Sequence, residues 1–120
     1  MDYSHLKCIS YFIYKKKDFT IRFTKTNNIA VPHIGFIVSI TPLINVDMNL
    51  KSIITYVDNN KYITLYGKIY EIYIGGWFEN HKFYPDISIV ENDIKIATNI
   101  GKLCNQVAIY DIENRITIFL

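Results

Sequence analysis

Apolar and polar positions alternate along much of the chain, and that alternation predicts most of its elements. Phe19, Ile21 and Phe23 interleave with Thr20, Arg22 and Thr24, so a strand here has one apolar face and one wet face. The run Ile9 to Tyr14 predicts a further extended segment, and Lys15 to Asp18 would join the two as a hairpin. Ile37-Val38-Ser39-Ile40-Thr41 is largely β-branched and favours an extended, buried chain. After the turn chemistry of Asp58-Asn59-Asn60-Lys61, the stretch YITLYGKIYEIYIGGW predicts two strands broken near Gly67-Lys68. On the second of these, Tyr70, Ile72 and Ile74 point inward while Glu71 and Tyr73 face out. Glu79 to Lys82 reads as the next turn and Phe83 to Val90 as the next strand. A last pair, Val107 to Ile112 and Arg115 to Leu120, flanks Glu113-Asn114.

Two segments switch to helical spacing. Ile96, Ala97, Ile100, Leu103 and Cys104 form one apolar face after Asn92, which is an N-cap residue type, and Asp93 favours the positive end of a helix dipole. Asn105 suits a left-handed C-terminal position. Leu50, Ile53, Ile54 and Val57 predict a second helix over Met48 to Tyr56. Strands with turns at short intervals and few helices imply an α+β fold. The expectation is a mainly antiparallel sheet of about six to eight strands with one or two helices packed on one face. The 120 residues make one globular domain, residues 1–120.

The chain is 50% apolar and 20% charged, with 10 tyrosines and 7 phenylalanines, which is enough apolar surface to fold without a partner. It is rich in isoleucine, asparagine and lysine and poor in arginine, the residue bias of an AT-rich genome such as that of a virus, phage, plasmid or low-GC bacterium. A net charge of +2 does not by itself imply a polyanionic partner. No charge falls between Lys25 and Asp47, a span long enough for a membrane helix, yet Asn27, Asn28, Pro32, His33, Gly35, Pro42 and Asn45 interrupt it. No membrane association is expected. Nor does the N-terminus have the pattern of a signal peptide, because its lysine run follows the apolar stretch. Cys8 and Cys104 form no CxxC pattern and point to a reducing compartment, so the expected location is the cytoplasm, that of the host cell for a viral protein.

Familiar catalytic patterns are missing. His5, His33 and His81 are isolated from one another and from carboxylate clusters, and neither GxSxG nor a phosphate-binding glycine loop occurs. No catalytic residue, metal or cofactor is therefore expected, and the chain reads as a binder more than an enzyme. The segment YIGGWFENHKFYPDISIV gathers the features of a binding hot spot. Trp77, Phe78, His81 and Tyr84 form an aromatic anchor at a hairpin tip, and Asp86, Ser88 and Asp111 form a polar rim. A plainer reading has Gly75 and Gly76 admitting close backbone cover, Trp77 packing over the helix, and the two aspartates capping turns. If the strands bring Asp86 and Asp111 together, the pair would suit acid/base work.

Three functions follow. The leading one is a protein-binding module of a virus or mobile element, a small inhibitor of a host factor such as a defence component, whose partner is a host or viral protein. The second is a single-stranded nucleic-acid binder with Lys15, Lys16, Lys17, Arg22, Lys25, Tyr66, Lys68 and Tyr73 as a stacking and phosphate-contacting face. The third is a small hydrolase or nuclease without a recognisable motif. A homodimer through the terminal edge strand, Tyr110 to Leu120, is compatible with each.

The order Gly75-Gly76-Trp77, then Phe83-Tyr84-Pro85-Asp86-Ile87-Ser88, a helix, and Asn105-Gln106-Val107-Ala108-Ile109-Tyr110-Asp111 resembles a segment of small uncharacterised phage and plasmid proteins. The resemblance covers residues 74–112 and implies a strand-helix-strand order and a mobile-element origin, with no activity attached. Pro85 departs from that pattern and implies an edge position for its strand.

Overall fold

A computed structural model describes residues 3–26 and 28–120. Asn27, one of the residues set against a membrane span, lies outside them. The elements run α1 (Tyr3–Tyr14), β1 (Phe19–Phe23), β2 (Ile29–Ala30), β3 (Phe36–Ser39), a 3-10 turn (Thr41–Leu43), α2 (Leu50–Asn59), β4 (Tyr62–Leu65), β5 (Lys68–Glu71), β6 (Tyr73–Glu79), β7 (Lys82–Glu91), α3 (Ile94–Leu103), β8 (Ala108–Asp111) and β9 (Ile116–Phe119). Seven strands form one sheet in the order β2-β1-β6-β7-β3-β8-β9, and β4 pairs with β5 in a separate ribbon. Every pairing is antiparallel, so the fold is α+β as expected.

Period-two alternation decides which face is buried. Phe19, Ile21, Ile74, Ile87, Ile89, Val38 and Ile109 all point to the same side, where they meet Ile53, Ile54, Val57, Ala97, Ile100 and Cys104 from the helices. Asn49 caps α2 by accepting from the Ser52 N–H at 2.8 Å, and Asp93 caps α3 by accepting from the Lys95 and Ile96 N–H groups. The cap of α3 is therefore Asp93, one residue after the predicted Asn92. Asn105 takes the predicted left-handed conformation, with φ 55°.

The first segment departs from expectation. Ile9 to Tyr14 is not a strand but the second half of α1, and Lys15 to Asp18 follow a helix instead of turning a hairpin. A short apolar run satisfies both periods, and here the helical one prevails: His5, Ile9 and Phe12 fall on one face. The His5 ring stacks on Phe23 at 3.8 Å, its Nδ1 lies 2.9 Å from Asp58 Oδ1 on α2, and Phe12 stacks on Phe19. Among the described residues three helices, not one or two, thus cover one face of the sheet.

The β4–β5 ribbon is fastened to the sheet by a buried acid. Glu91, at the end of β7, is 0% exposed. Lys68 Nζ donates to both of its oxygens at 2.6 and 2.8 Å, and the Tyr70 hydroxyl donates at 2.9 Å. Burial alone would push the Glu91 carboxyl up, but these bonds, the Asp93 N–H and the Lys68 charge hold it below its usual range. The Tyr70 phenol is pushed up to about 12 by burial and by its bond to that carboxylate. No helix among the described residues is long and apolar enough to cross a membrane.

Candidate functional site: a groove on the uncovered sheet face

The face opposite the helices carries the alternate residues of each strand. Thr20 of β1 lies beside Gly75 of β6, Gly75 beside Asp86 of β7, Tyr73 beside Ser88, and Ser88 beside Ser39 of β3. One step along, Trp77 lies beside Tyr84 with their rings stacked at 4.4 Å and 18°. Residues 31–35 connect β2, at one edge, to β3, which lies beyond β1, β6 and β7. Val31 and Pro32 of this strap, together with Trp77, Asp86, Ser88 and Tyr110, line a groove of about 750 Å³. Pockets of this size hold small ligands or single protruding side chains.

The two adjacent glycines serve opposite faces. A Cβ on Gly75 would stand 1.9 Å from Asp86 Oδ1, so the carboxyl lies across the bare backbone of β6. A Cβ on Gly76 would stand 2.5 Å from ring carbons of Phe19 and Phe83, on the helix side. The close backbone cover expected of this pair is therefore present twice over, by a polar group above and aromatic rings below.

Asp86 is the chemical centre of the groove. The Ser88 hydroxyl donates to its Oδ1 at 3.0 Å, and Ser39 supplies a second hydroxyl contact. Burial pushes its carboxyl up to about 6, and the two serine hydroxyls oppose the rise without cancelling it. Among the described residues, no cation lines the groove with it. The charged residues lining the cavity are Asp18 and Asp86, both acids, in a protein of net charge +2. Asp18 is already engaged, accepting from the Phe78 N–H at 3.0 Å.

The structure brings together four of the seven residues expected in a hot spot. Trp77, Tyr84, Asp86 and Ser88 share the uncovered face. Phe78 points to the helix side and packs against Phe83 at 5.2 Å, and His81 occupies the exposed hairpin turn with φ 65°. Asp111 also faces the helix side, paired in register with Phe36, and its side chain caps the following turn through the Asn114 N–H and amide. Those bonds hold its carboxyl below the usual range. Asp86 and Asp111 therefore lie on opposite faces and cannot act as a pair. Trp77 does not pack over a helix either, because its register places it on the other side, where it is 41% exposed.

The residues expected to contact nucleic acid do not share a surface. Arg22 Nε lies 2.9 Å from Glu71 Oε2, Lys68 is committed to Glu91, and Tyr73 is buried on the uncovered face. Tyr66 sits in the turn of the β4–β5 ribbon, while Lys15, Lys16 and Lys17 follow α1 and Lys25 follows β1. Among the described residues, no three His, Cys, Asp or Glu side chains are grouped as metal ligands would be. Sequence reading missed Thr20, Ser39 and the Val31–Pro32 strap as parts of the groove. Thr20 and Ser39 are polar positions in alternating strands, which marks the face but not which strands become neighbours.

No protein-family model, curated protein or solved structure matches the chain.

Proposed function

We propose that the protein acts by binding another protein through the uncovered face of its sheet, with the Trp77–Tyr84 stack as the anchor and Asp86 as the polar determinant. The observation that carries this reading is the groove itself: a largely apolar hollow lined by the half-buried Asp86 carboxyl and by Trp77, whose ring stacks on Tyr84 beside it. A hydrolase would need an activated nucleophile and donors aimed at developing negative charge. Ser88 instead spends its hydroxyl on Asp86, the Ser39 hydroxyl lies 3.3 Å from that of Thr41, and among the described residues neither lysine, arginine nor histidine lines the groove. Single-stranded nucleic acid is disfavoured at the same place because the charged lining residues are acids, which repel phosphate.

Occupying a partner in this way suits a small inhibitor of a host factor encoded by an AT-rich virus or mobile element, working in the cytoplasm. The proposal extends to a homodimer through β9, which has a neighbour on one side only and exposes Ile116 and Phe119. Panning a random peptide library against the protein tests the main reading. Enriched peptides should lose binding on Trp77→Ala, with near-ultraviolet circular dichroism unchanged. Peptides indifferent to Trp77→Ala, or retention of single-stranded DNA or RNA on filters that falls with salt, would overturn it.

A further inference from the structure

Groove shape and charge together specify what the partner must insert. Asp86 is a half-buried carboxyl that accepts from the Ser88 hydroxyl and has no cation beside it among the described residues lining the groove, which is a costly arrangement for a group with only a structural role. One strand step away along β7 stands Tyr84, ring to ring with Trp77, an aromatic surface that is electron-rich on its faces. Lys82 already places its Nζ 5.4 Å from the Tyr84 ring centroid, so this aromatic pair attracts cations within the protein itself.

We infer that the groove receives an arginine side chain of the partner, its guanidinium paired with Asp86 and stacked against Trp77. This inference rests on the open-face reading above and adds the chemistry of the inserted group. Arginine fits better than lysine because the planar guanidinium forks onto a carboxylate and stacks flat on an aromatic ring at the same time, whereas an ammonium meets either one only as a point charge. Gly75 sets where the carboxyl stands: without a side chain at that position, Asp86 lies across the bare backbone of β6 on the side of Thr20. The two acids of the lining, Asp18 and Asp86, give the cavity the opposite sign to the group it would take.

Binding should weaken in acid, as protonation removes the charge that the guanidinium meets. Other titratable or charged groups around the groove are Asp18 and the Tyr110 phenol of its lining, the Tyr73 and Tyr84 phenols on the same face, His33 of the strap, Lys82 over Tyr84, and the Arg22–Glu71 pair. The Asp86→Asn variant separates the effect of Asp86 from all of them.

The test is an amide-resolved nuclear magnetic resonance titration of the whole chain. The probes are N-acetyl-arginine methylamide and its neutral isostere N-acetyl-citrulline methylamide, at pH 7.5 and pH 5. The expected result is shifts at Gly75, Gly76, Ser88 and the Trp77 indole with the arginine probe, and at least tenfold weaker binding of the citrulline probe. The arginine probe should weaken at least fivefold at pH 5, and Asp86→Asn should abolish the discrimination. Equal binding of the two probes would overturn the inference and leave the groove as a binding site of other chemistry. No binding of either probe, while Trp77-dependent peptides are still enriched by panning, would also overturn it and leave the open-face reading standing. Silence in both experiments would remove both.

Discussion

Asp86 costs the fold stability that a different side chain would restore. Its folded carboxyl lies at about 6 against an ordinary value of 3.8, so the native state holds its proton more tightly than the unfolded chain does. A raised acid penalises folding once it ionises: the penalty is absent below about pH 4, grows between pH 4 and 6, and is complete above pH 6. Asp86→Asn should therefore stabilise the protein at pH 7.5 by about 2 kcal/mol, with the gain vanishing near pH 4. Urea unfolding at the two pH values checks this, and an unchanged midpoint at pH 7.5 would show that the carboxyl is not strained. Gly75 is coupled to the same group. Gly75→Ala should destabilise by about 1–3 kcal/mol by driving a methyl into the carboxyl, and by clearly less in an Asp86→Ala background. A double-mutant cycle with no interaction energy would mean the two residues are not in contact.

Among the elements, the β4–β5 ribbon depends on one ion pair at the end of β7. Lys68→Met would leave Glu91 buried with only Tyr70 and the Asp93 N–H as partners, at a cost of about 2 kcal/mol after allowing for the half-exposed lysine. The sign with pH is opposite to that of Asp86. Glu91 is held below its usual range, so its contribution is present above the unfolded value of 4.5 and fades as pH falls through the folded one. The loss in Lys68→Met should accordingly shrink in acid, which thermal melts at pH 7 and pH 4 would show. Strands and turns were largely legible because alternation and Asn/Asp turn chemistry act over a few residues. The turns at Tyr66-Gly67 and Asn80-His81 fall where the sequence placed them. What misled was α1, whose short apolar run fits either period until His5, Ile9 and Phe12 find Phe23 and Phe19 to pack on. Trp77, Tyr84, Asp86 and Ser88 could be read as a cluster because period two puts them on one face of a hairpin. Ser39 and the strap could not, since β3 reaches β7 by a connection whose path no local pattern encodes.

At the scale of the whole molecule, all three helices lie on one side, leaving a sheet with a dry face and an accessible one. Its two borders differ in kind. The β2 border is two residues long, whereas β9 presents Ile116-Thr117-Ile118-Phe119 without a charge. Edge strands of that composition pair readily with a second copy. Sedimentation velocity at increasing concentration should detect a dimer that Phe119→Lys shifts to monomer, and a single monomeric species up to millimolar concentration would remove β9 from consideration. Joined in this way, two molecules would offer two grooves side by side.

The strap at residues 31–35 gives the groove a wall unlike its floor. The floor is ladder-bonded strand, while Val31 to Ile34 belong to no ladder, and Gly35 is pinned beyond them where its carbonyl accepts from the Ile112 N–H. Such a wall can yield a little to an incoming group without any strand parting from its neighbour. Hydrogen exchange should register the difference as fast amides at 31, 33 and 34 beside slow ones at 74 and 87, with the fast set slowing once the hollow is filled.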